Sequence, residues 1–298
     1  MKMQVLAKAK INLTLDVLYK RPDGYHEVEM VMQSLQVADL IELALRQDDT
    51  VSLQVDRSDL PADESNLAYR AARLLQREHG VKLGVDMALQ KRIPMAAGLA
   101  GGSADAAAVL WGLNRLWNLN LPQSELERLG ALLGSDIPFC LRGGTVLARG
   151  RGEELLELTA MPECAVVLVK LPIDVPTAWV YGQYQARADL RHPDTKAMLA
   201  ALAAKDLAAV AANVGNVLEC VTIAAYPAIA EVKAELAKRG AKAVLMSGSG
   251  PTVFALADDE AAAEALADGL AKRWQAEVIV TKTSKVGCED GRTSFVAD

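Results

Sequence analysis

The residues 93 to 110, IPMAAGLAGGSADAAAVL, carry the first sign of chemistry: glycines and alanines crowd Ala96 to Gly102 and then give way to a helical pattern. So bare a backbone lets successive N–H groups converge on one concave point. A helix start directly behind it adds unpaired N–H groups and about half a positive charge. The stretch is a candidate phosphate cradle, although it matches neither G-x-x-x-x-G-K-[ST] nor G-x-G-x-x-G. A plain flexible connection permitting tight helix packing is the alternative. Asp136, in Gly134-Ser135-Asp136-Ile137-Pro138, is a carboxylate in a loop bounded by Gly and Pro, which suits a base that must meet a hydroxyl proton. An Asp there also suits a cap or an Asx turn. Lys10 falls inside an expected strand, where lysine is disfavoured, and reads either as an edge charge in water or as a group held for a purpose. Tyr25 and His26 follow the turn Arg21-Pro22-Asp23-Gly24 and offer an aromatic platform or merely a solvated tip. Ser247-Gly248-Ser249-Gly250, between two short apolar runs, has the composition of a hairpin turn.

The elements that must position these residues follow from periodicity. Ile11, Leu13, Leu15, Val17 and Tyr19 alternate with Asn12, Thr14, Asp16 and Leu18, which predicts a half-buried strand with Asn12 opposite the core. Further strands are expected at 28–36, 39–45, 51–55 and 83–90. A helix capped by Ser65-Asn66 runs from Leu67 to Gly80. The spacing of Ala106, Val109, Leu110, Leu113 and Trp117 starts another near Ser103 or Ala104, and Pro122 starts a third over 123–133. GSDIPFCLRGG reads as a loop leading into a strand. In the second half, a strand at 165–171, a helix from Thr177 to about 188, an Ala-rich region at 194–239 in two or three helical pieces, strands at 243–246 and 252–256, a helix at 259–274 and a strand at 277–282 suggest a helix-backed antiparallel sheet. A boundary is set near residue 155, dividing domains 1–155 and 156–285, and the polar end, 286–298, is expected to be disordered.

Composition narrows the class. The 298 residues are 51% hydrophobic and 23% charged, with a formal net charge of -6. A large core is available, and the acidic balance opposes a nucleic-acid-coating surface. Cys140, Cys164, Cys220 and Cys288 form no C-x-x-C pair, Lys8 and Lys10 interrupt any leader-like run, and no stretch stays apolar for the roughly 20 residues of a membrane span. A cytoplasmic protein with no membrane or nucleic-acid partner is expected, as a monomer or a homodimer.

The separate signals combine. Lys8-Ala9-Lys10-Ile11-Asn12-Leu13, Asp23-Gly24-Tyr25-His26, the run 94–103, Gly134-Ser135-Asp136-Ile137-Pro138 and Ser247-Gly248-Ser249-Gly250-Pro251, in this order, resemble the galactokinase, homoserine kinase, mevalonate kinase and phosphomevalonate kinase (GHMP) superfamily. The resemblance covers residues 6 to 283. It implies an α+β fold of two domains, an N-terminal ribosomal-protein-S5-like domain and a C-terminal ferredoxin-like helix-backed antiparallel sheet. It implies an ATP- and Mg²⁺-dependent phosphotransferase with an alcohol acceptor. Within the superfamily, "AKINL" and "DGYHE" point to a member whose alcohol carries cytidine diphosphate.

Site residues carry over as follows. The resemblance makes Asp136 the catalytic aspartate and Lys10 the lysine beside it. It makes Pro94, Met95, Ala96, Ala97, Gly98, Leu99, Ala100, Gly101, Gly102 and Ser103 the ATP phosphate loop, with Asn66 and Lys91 at the adenine pocket. Asn12, Tyr25 and His26 match positions that hold the cytidylyl substrate, Thr177 approaches its other end, and Ser247, Gly248, Ser249 and Gly250 buttress the loop. No metal ligand is assigned. Two departures stand out: Ala104 replaces the second serine many relatives carry, and Asp105 enters the first helical turn, where it is expected to face outward. A homoserine- or mevalonate-type kinase, or a non-catalytic nucleotide-binding module, remains as the alternative.

Overall fold

The computed structural model describes residues 1–185 and 190–291. Two long antiparallel strands open the chain, β1 (Lys2–Lys20) and β2 (His26–Arg46), joined by the turn at 21–24; β3 (Val51–Val55), α1 (Leu67–His79) and β4 (Gly84–Gln90) follow. Then come α2 (Gly101–Leu116), α3 (Gln123–Leu133), α4 (Ile137–Arg142), β5 (Thr145–Arg149) and β6 (Glu154–Glu157). The second half runs β7 (Ala165–Lys170), α5 (Thr177–Gln183), α6 (Thr195–Ala203), α7 (Leu207–Ala212), β8 (Gly215–Asn216), α8 (Glu219–Ala225) and α9 (Ala228–Lys238). It closes with β9 (Ala243–Met246), β10 (Val253–Ala257), α10 (Glu260–Ala267), α11 (Leu270–Trp274), β11 (Glu277–Lys282) and β12 (Cys288–Asp290).

The first sheet has the order β12-β1-β2-β4-β3, with β5 on β2, β6 on β5, and β8 parallel to β1. The second is the antiparallel β11-β7-β10-β9. α1 and α2 are amphipathic or Ala-rich, and their buried residues join the apolar residues of β1, β2 and β4 in one core. Asn66 caps α1 by accepting from Ala68 N–H at 2.9 Å, and Gly80 ends it at φ 62°, as its sequence signals require.

Several expectations are corrected. Residues 5–17 of β1 are buried on both faces, so Asn12 is not solvent-facing; the second half of the chain covers the side that alternation assigned to water. Register shifts at Lys8/Lys10 and Asn12/Thr14 re-aim the polar side chains of this strand. α2 begins at Gly101 rather than near Ser103, because Ala100 itself takes the left-handed conformation at the helix entrance. The stretch around Asp136 contains a helix, α4, in which Pro138 occupies the first turn, where its missing N–H costs nothing, and Gly143 ends it at φ 69°. The region 194–239 holds four helices and β8, and 259–274 is broken into α10 and α11 at Gly269. The helix expected from Thr177 to about 188 ends at Gln183, because Tyr184 turns to extended backbone at φ -65° and ψ 127°; residues 186–189 lie outside the described part.

The end of the chain is also corrected in part. Residues 288–290 pair with β1, Lys8 N–H donates to Gly287 carbonyl at 3.0 Å, and the Lys8 ammonium lies 2.9 Å from Glu289. A Cβ at Gly287 would fall 1.9 Å from Cys140 O, so only glycine permits this approach. The segment is polar by composition but is held through its backbone; residues 292–298 lie outside the described part. Among the described residues no helix is long and apolar enough to cross a membrane. Cys140, Cys164 and Cys288 are buried free thiols, and burial pushes Cys164 and Cys288 up to about 12.

Candidate active site

The glycine-rich loop leaves β4 and enters α2 with Ala96, Gly98 and Ala100 all at positive φ, 49°, 71° and 59°. For alanine this conformation costs roughly 1–2 kcal/mol, which the surroundings must hold in place. At the helix entrance Ala100 offers no side chain to cap, and the first intrahelical bond is Ala104 N–H to Ala100 O at 2.8 Å. The backbone of Gly101, Gly102 and Ser103 therefore meets the cleft without a side-chain competitor.

What holds the loop comes from far away in sequence. Ser247 Oγ donates to Gly98 O at 3.0 Å, and Lys10 backbone N–H donates to Leu99 O at 3.1 Å. A Cβ on Gly98 would sit 2.2 Å from Ser247 O, so the two turns touch backbone to backbone. The Ser247–Gly250 turn is anchored by residues 216 and 222, the former on β8 beside β1: Asn216 Nδ2 donates to Met246 O at 2.9 Å and to Gly248 O at 2.8 Å, and Thr222 Oγ1 donates to Ser249 O at 3.1 Å.

Asp136 stands at the N-terminal end of α4, yet its side chain makes no capping bond there. The carboxylate is 32% exposed and lies 3.7 Å from the Lys10 ammonium. Lys10 is no edge charge; its side chain is 5% exposed, and Nζ donates to Asn12 Oδ1 at 2.8 Å and to Gly98 O at 3.2 Å. The ammonium thus donates to an amide oxygen and to the loop backbone and stands in ionic contact with Asp136. One side chain joins the base candidate to the phosphate cradle.

Around them opens a cleft of about 810 Å³. At its far end Tyr25 is 55% exposed with the Arg151 guanidinium 5.0 Å from its ring centre. The His26 ring lies 5.3 Å from that of Tyr181 at 35°. Burial and the nearby Lys20 charge lower the His26 pKa, so the imidazole is neutral near pH 7, with one nitrogen to donate and one to accept. Burial, together with the Asp136 charge, raises the Tyr181 hydroxyl and keeps it protonated. Thr177 Oγ1, at the start of α5, is 2.9 Å from Ser249 Oγ.

The chain matches the models of the GHMP kinases N terminal domain over residues 66–144 and of the GHMP kinases C terminal domain over 198–276. A relative from Brevibacillus brevis named 4-diphosphocytidyl-2-C-methyl-D-erythritol kinase is 52% identical over 261 residues, 88% of this chain and 89% of that one. The chain belongs to the 4-diphosphocytidyl-2-C-methyl-D-erythritol kinase family of GHMP kinases. A crystal structure of 4-(cytidine 5'-diphospho)-2C-methyl-D-erythritol kinase superposes with TM-score 0.80 at 35% identity, over 95% of this chain and 99% of that one. A homoserine kinase from Cytophaga hutchinsonii reaches TM-score 0.78 at 20% identity over 97% of each chain, a likeness of fold.

In this GHMP kinase the cleft gathers Lys10, Asn12, Tyr25, His26, Ala96, Ala97, Gly98, Ala100, Gly101, Gly102, Ser103, Asp136, Thr177, Gly248, Ser249 and Gly250. Pro94, Met95, Leu99 and Ser247 belong to the same turns but do not line it. Asn66 spends its amide on the cap of α1 and on Pro61 O at 2.8 Å, while its neighbour Leu67 reaches the cleft. Lys91 is taken into a buried cluster with Asp39 and Asp105. Asp105, expected to face outward, faces inward and is 2% exposed, because that ammonium waits beneath it. Tyr181, Arg151 and Lys20 also line the cleft and were missed from sequence. Tyr181 had a signal in its place four residues after Thr177, one helical turn along the same face; Arg151 had only its flanking glycines.

Proposed function

We propose that this kinase transfers the γ-phosphoryl group of ATP to the C2 hydroxyl of 4-diphosphocytidyl-2-C-methyl-D-erythritol, releasing ADP, in the non-mevalonate route to isoprenoid precursors. The observation that carries it is the Lys10 ammonium, which touches the backbone of the glycine-rich loop and pairs with Asp136 in the same cleft. Phosphoryl transfer asks a protein chiefly for alignment and charge stabilisation. The loop and the first turn of α2 receive the phosphates. Asp136 accepts the hydroxyl proton while the substrate oxygen bonds to the γ-phosphorus and the bond from that phosphorus to the β,γ-bridging oxygen breaks. Lys10 favours the ionised carboxylate and the developing alkoxide.

Magnesium fits as a companion of the nucleotide. Among the described residues no group of three or more His, Cys, Asp or Glu side chains could hold a metal ion. Asp136 and the Ser103 and Ser135 hydroxyls are among the side-chain oxygens that line the cleft, donors that suit a hard cation arriving on phosphate oxygens. The ion supplies neutralisation of the phosphate charge. Free buried thiols suit a reducing compartment, and the reading places the reaction in the cytoplasm.

Incubation of the purified protein with Mg·ATP and the cytidylyl alcohol is expected to add one phosphoryl group to the alcohol, seen by mass spectrometry. ADP release with mevalonate or homoserine, and none with the cytidylyl alcohol, would overturn the substrate assignment. The aromatic end of the cleft supplies a second check. Stacking of a base on an aromatic ring contributes about 1–3 kcal/mol, so Tyr25→Ala and His26→Ala are each expected to raise the KM of the cytidylyl alcohol about tenfold. The KM of ATP should stay within about twofold. An equal rise for both substrates would reduce the pair to loop structure.

A further inference from the structure

Beneath the glycine-rich loop lies a buried ion cluster that the transfer itself does not touch. Asp39, on β2, accepts hydrogen bonds through Oδ1 from the N–H groups of Arg92 and Ile93 at 2.5 and 2.8 Å. These residues carry the chain from β4 into the loop. The Lys91 ammonium bridges Asp39 Oδ2 to Asp105 Oδ2, the latter at 2.7 Å. Asp105 lies on α2, just past the loop's exit. One ammonium therefore ties the entrance of the loop to the helix at its exit. Gly101, the first residue of α2, sits directly over it: a Cβ there would be 3.4 Å from Lys91 Nζ and 3.2 Å from Ile93 Cγ2.

Stability alone is a poor reason for such a cluster. Two carboxylates and an ammonium leave water together. Burial pushes the Asp105 carboxyl well above the ordinary carboxylate range against the pull of Lys91, and Asp105 Oδ1 has no hydrogen-bond partner. Asp105 and Asp39 together outweigh the effect of burial on Lys91 and raise its pKa, which keeps the ammonium charged. Buried pairs of this kind are often no more stabilising than apolar residues of the same volume, whereas they do fix register. Register is what this loop lacks by itself, since Ala96, Ala100 and Gly101 have no side-chain group that could hold their own backbone.

We propose that Asp105, acting through Lys91, is a positioning residue for the nucleotide: it sets the angle at which the first-turn N–H groups of Gly101, Gly102 and Ser103 face the cleft, and so the affinity for the phosphates of ATP, without touching them. The proposal rests on the loop being the ATP cradle. Binding of the magnesium complex of β,γ-imido-ATP, measured by calorimetry on the full chain, separates the two. If the unaltered protein does not bind this analogue, the cradle reading fails whatever Asp105 does. If it binds, Asp105→Leu, which keeps volume and removes the acceptor, is expected to weaken it about tenfold, as loss of a hydrogen bond to a charged group does. The KM of the alcohol should move by less than about twofold in the same variant, and Asp105→Asn, which retains an oxygen for Lys91, should bind the analogue within about threefold of the unaltered protein. An Asp105→Leu variant with lowered Tm and unchanged analogue affinity overturns the proposal. So does an Asp105→Asn variant with a tenfold loss, which keeps the test decisive should the leucine variant fail to fold.

Discussion

Asp136→Asn is expected to lower kcat by about 10³-fold, a loss of ~4 kcal/mol in transition-state stabilisation, while the chain folds and binds ATP as before. The magnitude follows from the role. A general base contributes when its proton affinity rises into the reaction, and an amide of the same shape offers an oxygen but cannot take the proton. The specificity of the effect follows from the surroundings. The Asp136 side chain does not cap α4, is 32% exposed, and has the 3.7 Å pair with Lys10 as its ionic contact. At 3.7 Å, with Asp136 a third exposed and the Lys10 ammonium still hydrogen-bonded to Asn12 Oδ1 and Gly98 O, the fold loses little when the carboxylate charge goes. Steady-state kinetics with saturating alcohol, beside calorimetry with β,γ-imido-ATP, check both halves. A variant that keeps more than about a tenth of its turnover would remove Asp136 from the role of base.

The contrast between Asp136 and Asp105 indicates what sequence could disclose. Both are acidic residues near helix starts, and both readings used the same dipole and capping logic. For Asp136 the local frame of Gly134, Ile137 and Pro138 was informative even though α4 itself was not foreseen; six residues with proline in the first turn have too little length for a helical period to register. For Asp105 the deciding partner is Lys91, which reaches it from the other side of the loop, and Asp39 on another strand. No local pattern reports that meeting. The same limit applies to Asn12, whose alternation in β1 correctly gave a strand and wrongly gave it a solvent face. It applies also to the Ser247–Gly250 turn, whose hairpin is visible in its glycines while its seat on Gly98, 149 residues away, is not. Order and spacing of the motifs conveyed the family and many of the cleft's residues, though not Lys20, Arg151 or Tyr181. Which of them turn inward was set by the layer that closes over β1.

Lys10→Met is expected to cost about 10²–10³-fold in kcat, with ATP affinity reduced by no more than a few fold. The flexible methionine fills the volume, so the packing around the strand survives. Three contacts vanish together: the donor to Asn12 Oδ1, one of two donors to Gly98 O, and the charge beside Asp136. Gly98 O keeps its bond from Ser247 Oγ, which is why the loop should hold its shape and bind nucleotide. Asn12 Oδ1 is left buried without that donor at a cost of about 1–3 kcal/mol, partly offset because a buried ammonium no longer needs desolvation. Lys10→Arg should not rescue turnover, since a planar fork cannot satisfy three converging acceptors in a site sized for a single ammonium. The deciding measurement is the double variant. If Lys10 and Asp136 act as one unit, Lys10→Met combined with Asp136→Asn loses no more than about tenfold beyond Asp136→Asn alone, because the charge that Lys10 stabilises is already absent. If Lys10 merely stiffens β1, the two losses multiply, and its place in the chemistry is gone.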